Sequence, residues 1–140
     1  MIRPWVASAE QAGVTSSEFT AFEMGALESL TASEVLPREG WICRIEVELS
    51  GISGAPTQAT AWASHDQNGA QAITPNGTSG ATQTLSATGD GDASKGGATF
   101  NLDRTPYITL DGLWVWVRLD NGTADCTVRI WGETTVPPSR

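Results

Sequence analysis

Residues Gly112 to Glu133 read GLWVWVRLDNGTADCTVRIWGE. Asn121-Gly122 divides two runs in which every second residue is apolar, and such a dipeptide favours a two-residue turn because both positions tolerate positive φ. The pattern predicts a hairpin in which Asp120 lies opposite Thr123, Leu119 opposite Ala124, Val117 opposite Cys126, Val115 opposite Val128 and Leu113 opposite Ile130. The other face then pairs Arg118 with Asp125, Trp116 with Thr127 and Trp114 with Arg129. A slip of one residue would turn every side chain to the wrong face. The aliphatic set is therefore expected to meet a core, with Trp114, Trp116, Trp131, Arg118 and Arg129 together on the opposite face.

A second run, GWICRIEVELSG from Gly40 to Gly51, alternates in the same way. Trp41, Cys43, Ile45, Val47 and Leu49 fall on one side, the expected core side. Arg44, Glu46, Glu48 and Ser50 fall on the other, the pattern of a half-buried antiparallel strand. TQATAWAS, Thr57 to Ser64, reads as another strand, with either its alanine side or its Trp62 side buried. Short strands are expected at Gln71–Ile73, Ala81–Ser86, Ala98–Leu102 and Tyr107–Leu110, the last two separated by Pro106. Ser16 to Leu36 fits two strands around Gly25, the preferred reading, or a helix with Phe19, Phe22, Ala26 and Leu30 on one side. Short strands with frequent turn signals point to an all-β fold, a single antiparallel β-sandwich of jelly-roll type with extended termini. Residues 13–135 form the sandwich in this reading. Residues 1–12, with Pro4, are an N-terminal arm, and residues 136–140, VPPSR, a C-terminal tail, each ordering against a partner.

At 140 residues the chain suits one domain able to bury an adequate core. Its formal net charge of −8 argues against nucleic acid and anionic membrane surfaces, which require clustered Lys and Arg. The opening residues MIRPWVASAEQAGV contain no apolar run of signal-peptide length, so synthesis in a cytoplasm without export is expected. Cys43 and Cys126 have no zinc spacing and no CxxC; they are expected as buried thiols, with a bridge open to them if their strands are neighbours.

No constellation in the sequence supports catalysis. Ser64-His65-Asp66 contains the only histidine, but adjacent strand residues point to opposite faces and cannot converge as a triad. Asp90 and Asp92 in GDGDASKGG lack the ligand number calcium requires. Glu46 and Glu48 read as a solvated stripe rather than the two walls of a cleft. No cofactor and no metal is expected. The tryptophan face remains, and three things could cover it: another part of the chain such as Phe19 and Phe22, another subunit, or a sugar ring.

LPREGWICRIEVELSG and LWVWVRLDNGTADCTVRIWGETTV resemble the turn-then-strand entry and the final hairpin of small accessory virion proteins of tailed bacteriophages, the capsid decoration or cement proteins and related jelly-roll head or tail components. The resemblance spans under a third of the chain and is a sandwich signature more than a motif. It implies a non-catalytic protein that self-associates, often as a trimer, and binds a major capsid or other virion protein, so that it would be made in the host cytoplasm and end in the virion. It transfers no individual functional residue.

Overall fold

The computed structural model describes residues 2–24, 36–69, 73, 81–87, 92–108 and 112–135. The described residues form nine strands: β1 (Arg3–Thr15), β2 (Thr20–Met24), β3 (Glu39–Ser53), β4 (Gln58–Ser64), β5 (Ala81–Thr84), β6 (Ser86–Ala87), β7 (Gly96–Ile108), β8 (Leu113–Leu119) and β9 (Thr123–Thr134). They make two antiparallel sheets, A in the order β1-β9-β3-β7-β6 and B in the order β2-β8-β4-β5. With β6 as an added edge strand, this is the strand order of a jelly roll, as the sequence led us to expect. Apart from β4–β5 and β6–β7, every step along the chain crosses from one sheet to the other.

That topology corrects the predicted hairpin. β8 pairs with β2 and β4, and β9 pairs with β1 and β3, so the two strands face each other across the core instead of sharing a ladder. The three linking residues, Asp120 to Gly122, can span about 10 Å, the usual separation of packed sheets. Only Gly122 of the dipeptide has positive φ, 71°, so the turn is not the type expected. A Cβ at Gly122 would lie 2.2 Å from the Ser53 carbonyl oxygen, so the end of β3 requires a glycine there. Asp120 holds the link to β4: its Oδ1 accepts from the Thr57 and Gln58 amides at 2.9 and 3.1 Å, and its Oδ2 from the Thr57 hydroxyl at 2.6 Å.

The inward residues are those the alternation named. Leu113, Val115, Val117 and Leu119 of β8 and Ala124, Cys126, Val128 and Ile130 of β9 are buried, facing Phe22 and Met24 of β2 and Ile45, Val47 and Leu49 of β3. On β4 the alanines at 59, 61 and 63 point into the core. β2 has the period of a strand, with Phe22 and Met24 inward, which removes the helix alternative for Thr20–Met24; the second strand expected beyond Gly25 lies outside the described residues. Of the strand expected at Gln71–Ile73 only Ile73 is described; it is buried, and its amide donates to the Ala63 carbonyl.

The expected N-terminal arm is corrected for residues 3–12. Arg3–Thr15 is a full strand on β9, with Trp5 and Ala7 buried. Its core contribution was hidden because Trp5 fills a gap prepared far away in sequence. A Cβ on Gly132 would sit 2.2 Å from the Trp5 ring, and Tyr107 meets that ring edge-on at 6.0 Å. The Tyr107 hydroxyl donates to the Pro37 carbonyl at 2.8 Å, and burial, then the Glu39 charge, holds the phenol well above its ordinary pKa. The expected tail, 136–140, lies outside the described residues.

A bulge corrects two further expectations. Ile42 opposes Gly132 and Arg44 opposes Trp131, so Cys43 is an extra residue in β3. One inserted residue inverts the alternation before it. Ile42 is therefore fully buried, while Trp41 and Cys43 leave the core side. The partner strand β7 is also irregular here, with Thr105 opposite Ile42 and Asn101 opposite Arg44, and it runs on through Pro106 instead of breaking there. Cys43 and Cys126 do occupy neighbouring strands, but Cys126 opposes Leu49 and both thiols are free.

Candidate interaction surfaces

Because β8 and β9 belong to different sheets, the five residues expected on one face are divided between two. Trp114, Trp116 and Arg118 project from the outside of sheet B. Arg129 and Trp131 project from the outside of sheet A, on the far side of the core.

On sheet B the chain covers its own tryptophans. Trp62 and Trp116 are register partners, and their rings stack at 5.3 Å between centroids with 10° between planes. Phe19 meets Trp62 edge-on at 6.0 Å, and the Arg118 guanidinium lies 4.5 Å from the Phe19 ring centroid. The turn after β4 folds back over the pair. Trp116 Nε1 donates to Ser64 Oγ at 2.9 Å, which donates to the Asp66 carbonyl at 2.6 Å. Gly69, at φ 72°, closes against both indoles: a Cβ there would lie 2.5 Å from the Trp62 ring. Phe19 thus serves as the cover anticipated for it, whereas Phe22 is in the core. The same contacts occupy the Ser64 hydroxyl and leave no triad with His65.

On sheet A the outward side chains form rows across four strands. One row runs Pro4–Glu133–Trp41–Pro106 and the next Val6–Trp131–Arg44–Asn101. Among the described residues, arginines lie on these indoles. The Arg44 guanidinium is 4.6 Å from the Trp131 ring centroid and that of Arg104 is 4.4 Å from Trp41. Arg104 Nε also donates to Glu133 Oε1 at 2.7 Å. Arg104 is the one non-glycine residue with positive φ among the described residues, at 56°, and it sits in the irregular stretch of β7 that brings it over Trp41. Cys43 Sγ donates to the same Glu133 oxygen at 3.6 Å; burial first, then the Glu133 charge and hydrogen bond, push its pKa up, which makes it a poor nucleophile. The other half of the face is polar. Arg129 pairs with Glu48 at 2.9 Å, and Arg44 with Glu46 at 3.2 Å.

Sequence reading missed Trp41, Arg44, Arg104 and Glu133 as a cluster. The bulge that turns Trp41 outward leaves no mark in WICRIEVEL, which alternates without a break. Among the described residues, no three His, Cys, Asp or Glu side chains are placed to hold a metal. Asp92 instead closes a turn, accepting from the Ser94 amide at 2.9 Å and the Ser94 hydroxyl at 2.7 Å.

No family model matches the sequence, and no curated protein does. Solved structures with a similar course include a chain from the cyanophage Pam1 capsid asymmetric unit, with 15% identity and a TM-score of 0.44 over 97% of this chain and 85% of that one. Another is FLHE, with 9% identity and a TM-score of 0.41 over 94% of this chain and 96% of that one. Neither likeness assigns a function.

Proposed function

We propose that this chain is a non-catalytic structural module of a protein shell, a virion component of the capsid decoration or cement kind, which associates with copies of itself as a trimer and with the shell protein. One observation carries the reading: the outside of sheet A presents Pro4, Val6, Trp41, Trp131 and Pro106 in two adjacent rows, with arginines lying upon the two indoles.

The edges of sheet A favour association through its face over strand addition to that sheet. An open edge strand invites pairing unless proline, charge or a bulge blunts it. β1 carries Pro4, Glu10 and an irregularity between Gln11 and Val14 with Gly13 at φ 71°. On β7, beyond the short β6 pairing at Gly96 and Gly97, stand the positive-φ Arg104 and then Pro106. Size sets a further condition. Four strands by two rows cover roughly 20 by 14 Å, or about 280 Å². That is well under the roughly 800 Å² per partner of a standard interface. The aromatic rows therefore act as the energetic centre of a larger contact that includes the Arg129–Glu48 half, or in several copies at once.

Trp41→Ala with Trp131→Ala should leave the fold intact and abolish both self-association and co-sedimentation with particles from the same source. The proposal fails if sedimentation velocity finds the wild-type chain monomeric at high concentration and it does not pellet with the particle.

A further inference from the structure

Arg44 and Arg104 each lie over an indole, but the backbone presents them differently. Arg44 stands on β3 in register with Trp131 and has no positive φ. Arg104 stands in a detour of β7. Between the pairs Ile42–Thr105 and Arg44–Asn101, β3 contains only Cys43, whereas β7 contains Leu102 to Arg104. The detour is pinned at both ends: Leu102 and Thr105 are buried, and the Thr105 hydroxyl donates to the Leu102 carbonyl. Between those pins Arg104 takes φ 56°, which costs a residue with a Cβ backbone energy and which glycine adopts freely. Irregular strand segments commonly re-aim a side chain, and strained residues gather where a side chain has work beyond the fold. Here the side chain so aimed lies on Trp41.

We propose that Arg104 is a strained latch: it keeps Trp41 covered in the free chain and is displaced when another copy docks on sheet A. Side-chain contacts alone hold it closed. The guanidinium lies 4.4 Å from the Trp41 ring centroid, and Arg104 Nε donates to Glu133 Oε1 at 2.7 Å. Glu133 is the register partner of Trp41, so both contacts form or break together. The two side chains of the ion pair are 48% and 30% exposed, and a pair so open to water is weak. The cation–π contact adds a modest amount, and the backbone at Arg104 opposes closure. The two forms therefore lie close in free energy, with the closed form favoured by a factor of roughly two to five. A surface that is covered for most of the time binds with an affinity reduced by its open fraction, here roughly three- to sixfold. The latch thus keeps Trp41 from indiscriminate contact and yields to a contact that also engages Trp131 and the rest of the face. Its role in association rests on the assembly reading; the cover itself does not.

Two measurements on the full chain test it. The indole N–H resonance of Trp41, assigned with Trp41→Phe, is followed in dilute protein with a nitroxide dissolved in the buffer, for wild type, Arg104→Gly, Arg104→Ala and Glu133→Gln. The three variants should broaden the Trp41 signal more than wild type and leave that of Trp131 in place. Arg104→Gly should also unfold at higher urea concentration than Arg104→Ala, because only glycine relieves the backbone at φ 56°. Sedimentation velocity should then find self-association tightened roughly three- to sixfold by Arg104→Gly. If the changes at Arg104 prevent folding, Glu133→Gln, which leaves the detour untouched, decides. Unchanged broadening of Trp41 in folded variants overturns the latch. So does association weakened by Arg104→Gly, because Arg104 would then be part of the contact and not its cover. Broadening that rises while neither wild type nor variants associate upholds the latch and defeats the assembly reading.

Discussion

The two outer faces of the sandwich are made from the same residue types and are used in opposite ways. On sheet B, Trp116 rests on Trp62, Phe19 meets Trp62 edge-on, and the Ser64–Gly69 turn closes over the pair. On sheet A, Trp41 and Trp131 lie under arginine side chains, with no segment of the described residues closing over them as the Ser64–Gly69 turn does on sheet B. Both arrangements keep indoles from lying bare in water, but at different cost to undo. A guanidinium over a half-buried ring is worth about 0.5–2 kcal/mol and sits on a flexible stem. A stacked, hydrogen-bonded indole under a closed turn is part of the fold. The number of tryptophans on a face therefore says less about binding than whether the chain itself supplies their second layer.

The largest expected effect removes what the two faces share. Val115→Asp buries a charge with no partner between the sheets and should cost on the order of 4 kcal/mol or more. Chemical denaturation should find both faces lost in one transition. Retention of one face would mean that the sheets do not depend on a common core.

The next effect bears on the comparison itself. Trp116→Ala should destabilise by about 3 kcal/mol, through loss of its stack and its bond to Ser64. Trp131→Ala should cost less, about 1–2 kcal/mol, since it removes an arginine contact and the packing of a half-buried ring but no hydrogen-bonded stack. Equal losses in urea unfolding would erase the distinction between a structural face and an adhesive one.

The sequence made one level of this organisation legible and concealed the next. Alternation assigned the inner residues of β8 and β9 correctly, because a strand buries the same set whether its neighbour lies beside it or across the core. It could not choose between those neighbours, and the Asn-Gly signal favoured the wrong one. The jelly-roll expectation already implied the right one, since consecutive strands in that fold change sheets. This single difference divided the five candidate residues between two faces. The bulge at Cys43 was hidden for a related reason: Trp41, Cys43 and Ile45 continue a pattern that the backbone interrupts. β1 was hidden because the space Trp5 fills is made by Gly132, nearly the whole chain away.

A smaller effect sharpens the account of sheet B. Gly69→Ala should cost about 1–2 kcal/mol, because its Cβ would need room 2.5 Å from the Trp62 ring and the backbone is at φ 72°. The quenching and shift of Trp62 and Trp116 fluorescence should change with it, while the assembly proposed for sheet A should be unaffected. Loss of assembly in this variant would show that the turn over the indoles is itself part of the contact surface.

The smallest expected effect lies at the link between the faces and depends on pH. Asp120 joins β8 of sheet B to β9 of sheet A, and its carboxylate accepts from the Thr57 hydroxyl and the Thr57 and Gln58 amides. Those hydrogen bonds, led by the one from the Thr57 hydroxyl, hold its pKa below the ordinary 3.8. A carboxylate with a lowered folded-state pKa contributes stability that is fully present above its unfolded value and is lost as pH falls through the folded one. The contribution should therefore be constant from neutrality to about pH 5 and fade below 3.8. Asp120 is exposed, so solvent screening keeps the effect small. Asp120→Asn retains one acceptor oxygen but not the charge. It should lower stability slightly at pH 7 and flatten the part of the acid dependence that belongs to this link. Comparing wild type and variant by urea unfolding between pH 7 and pH 3 measures it. A gap between the two curves that widens toward pH 3, instead of closing, would mean that Asp120 does not anchor the link through its charge.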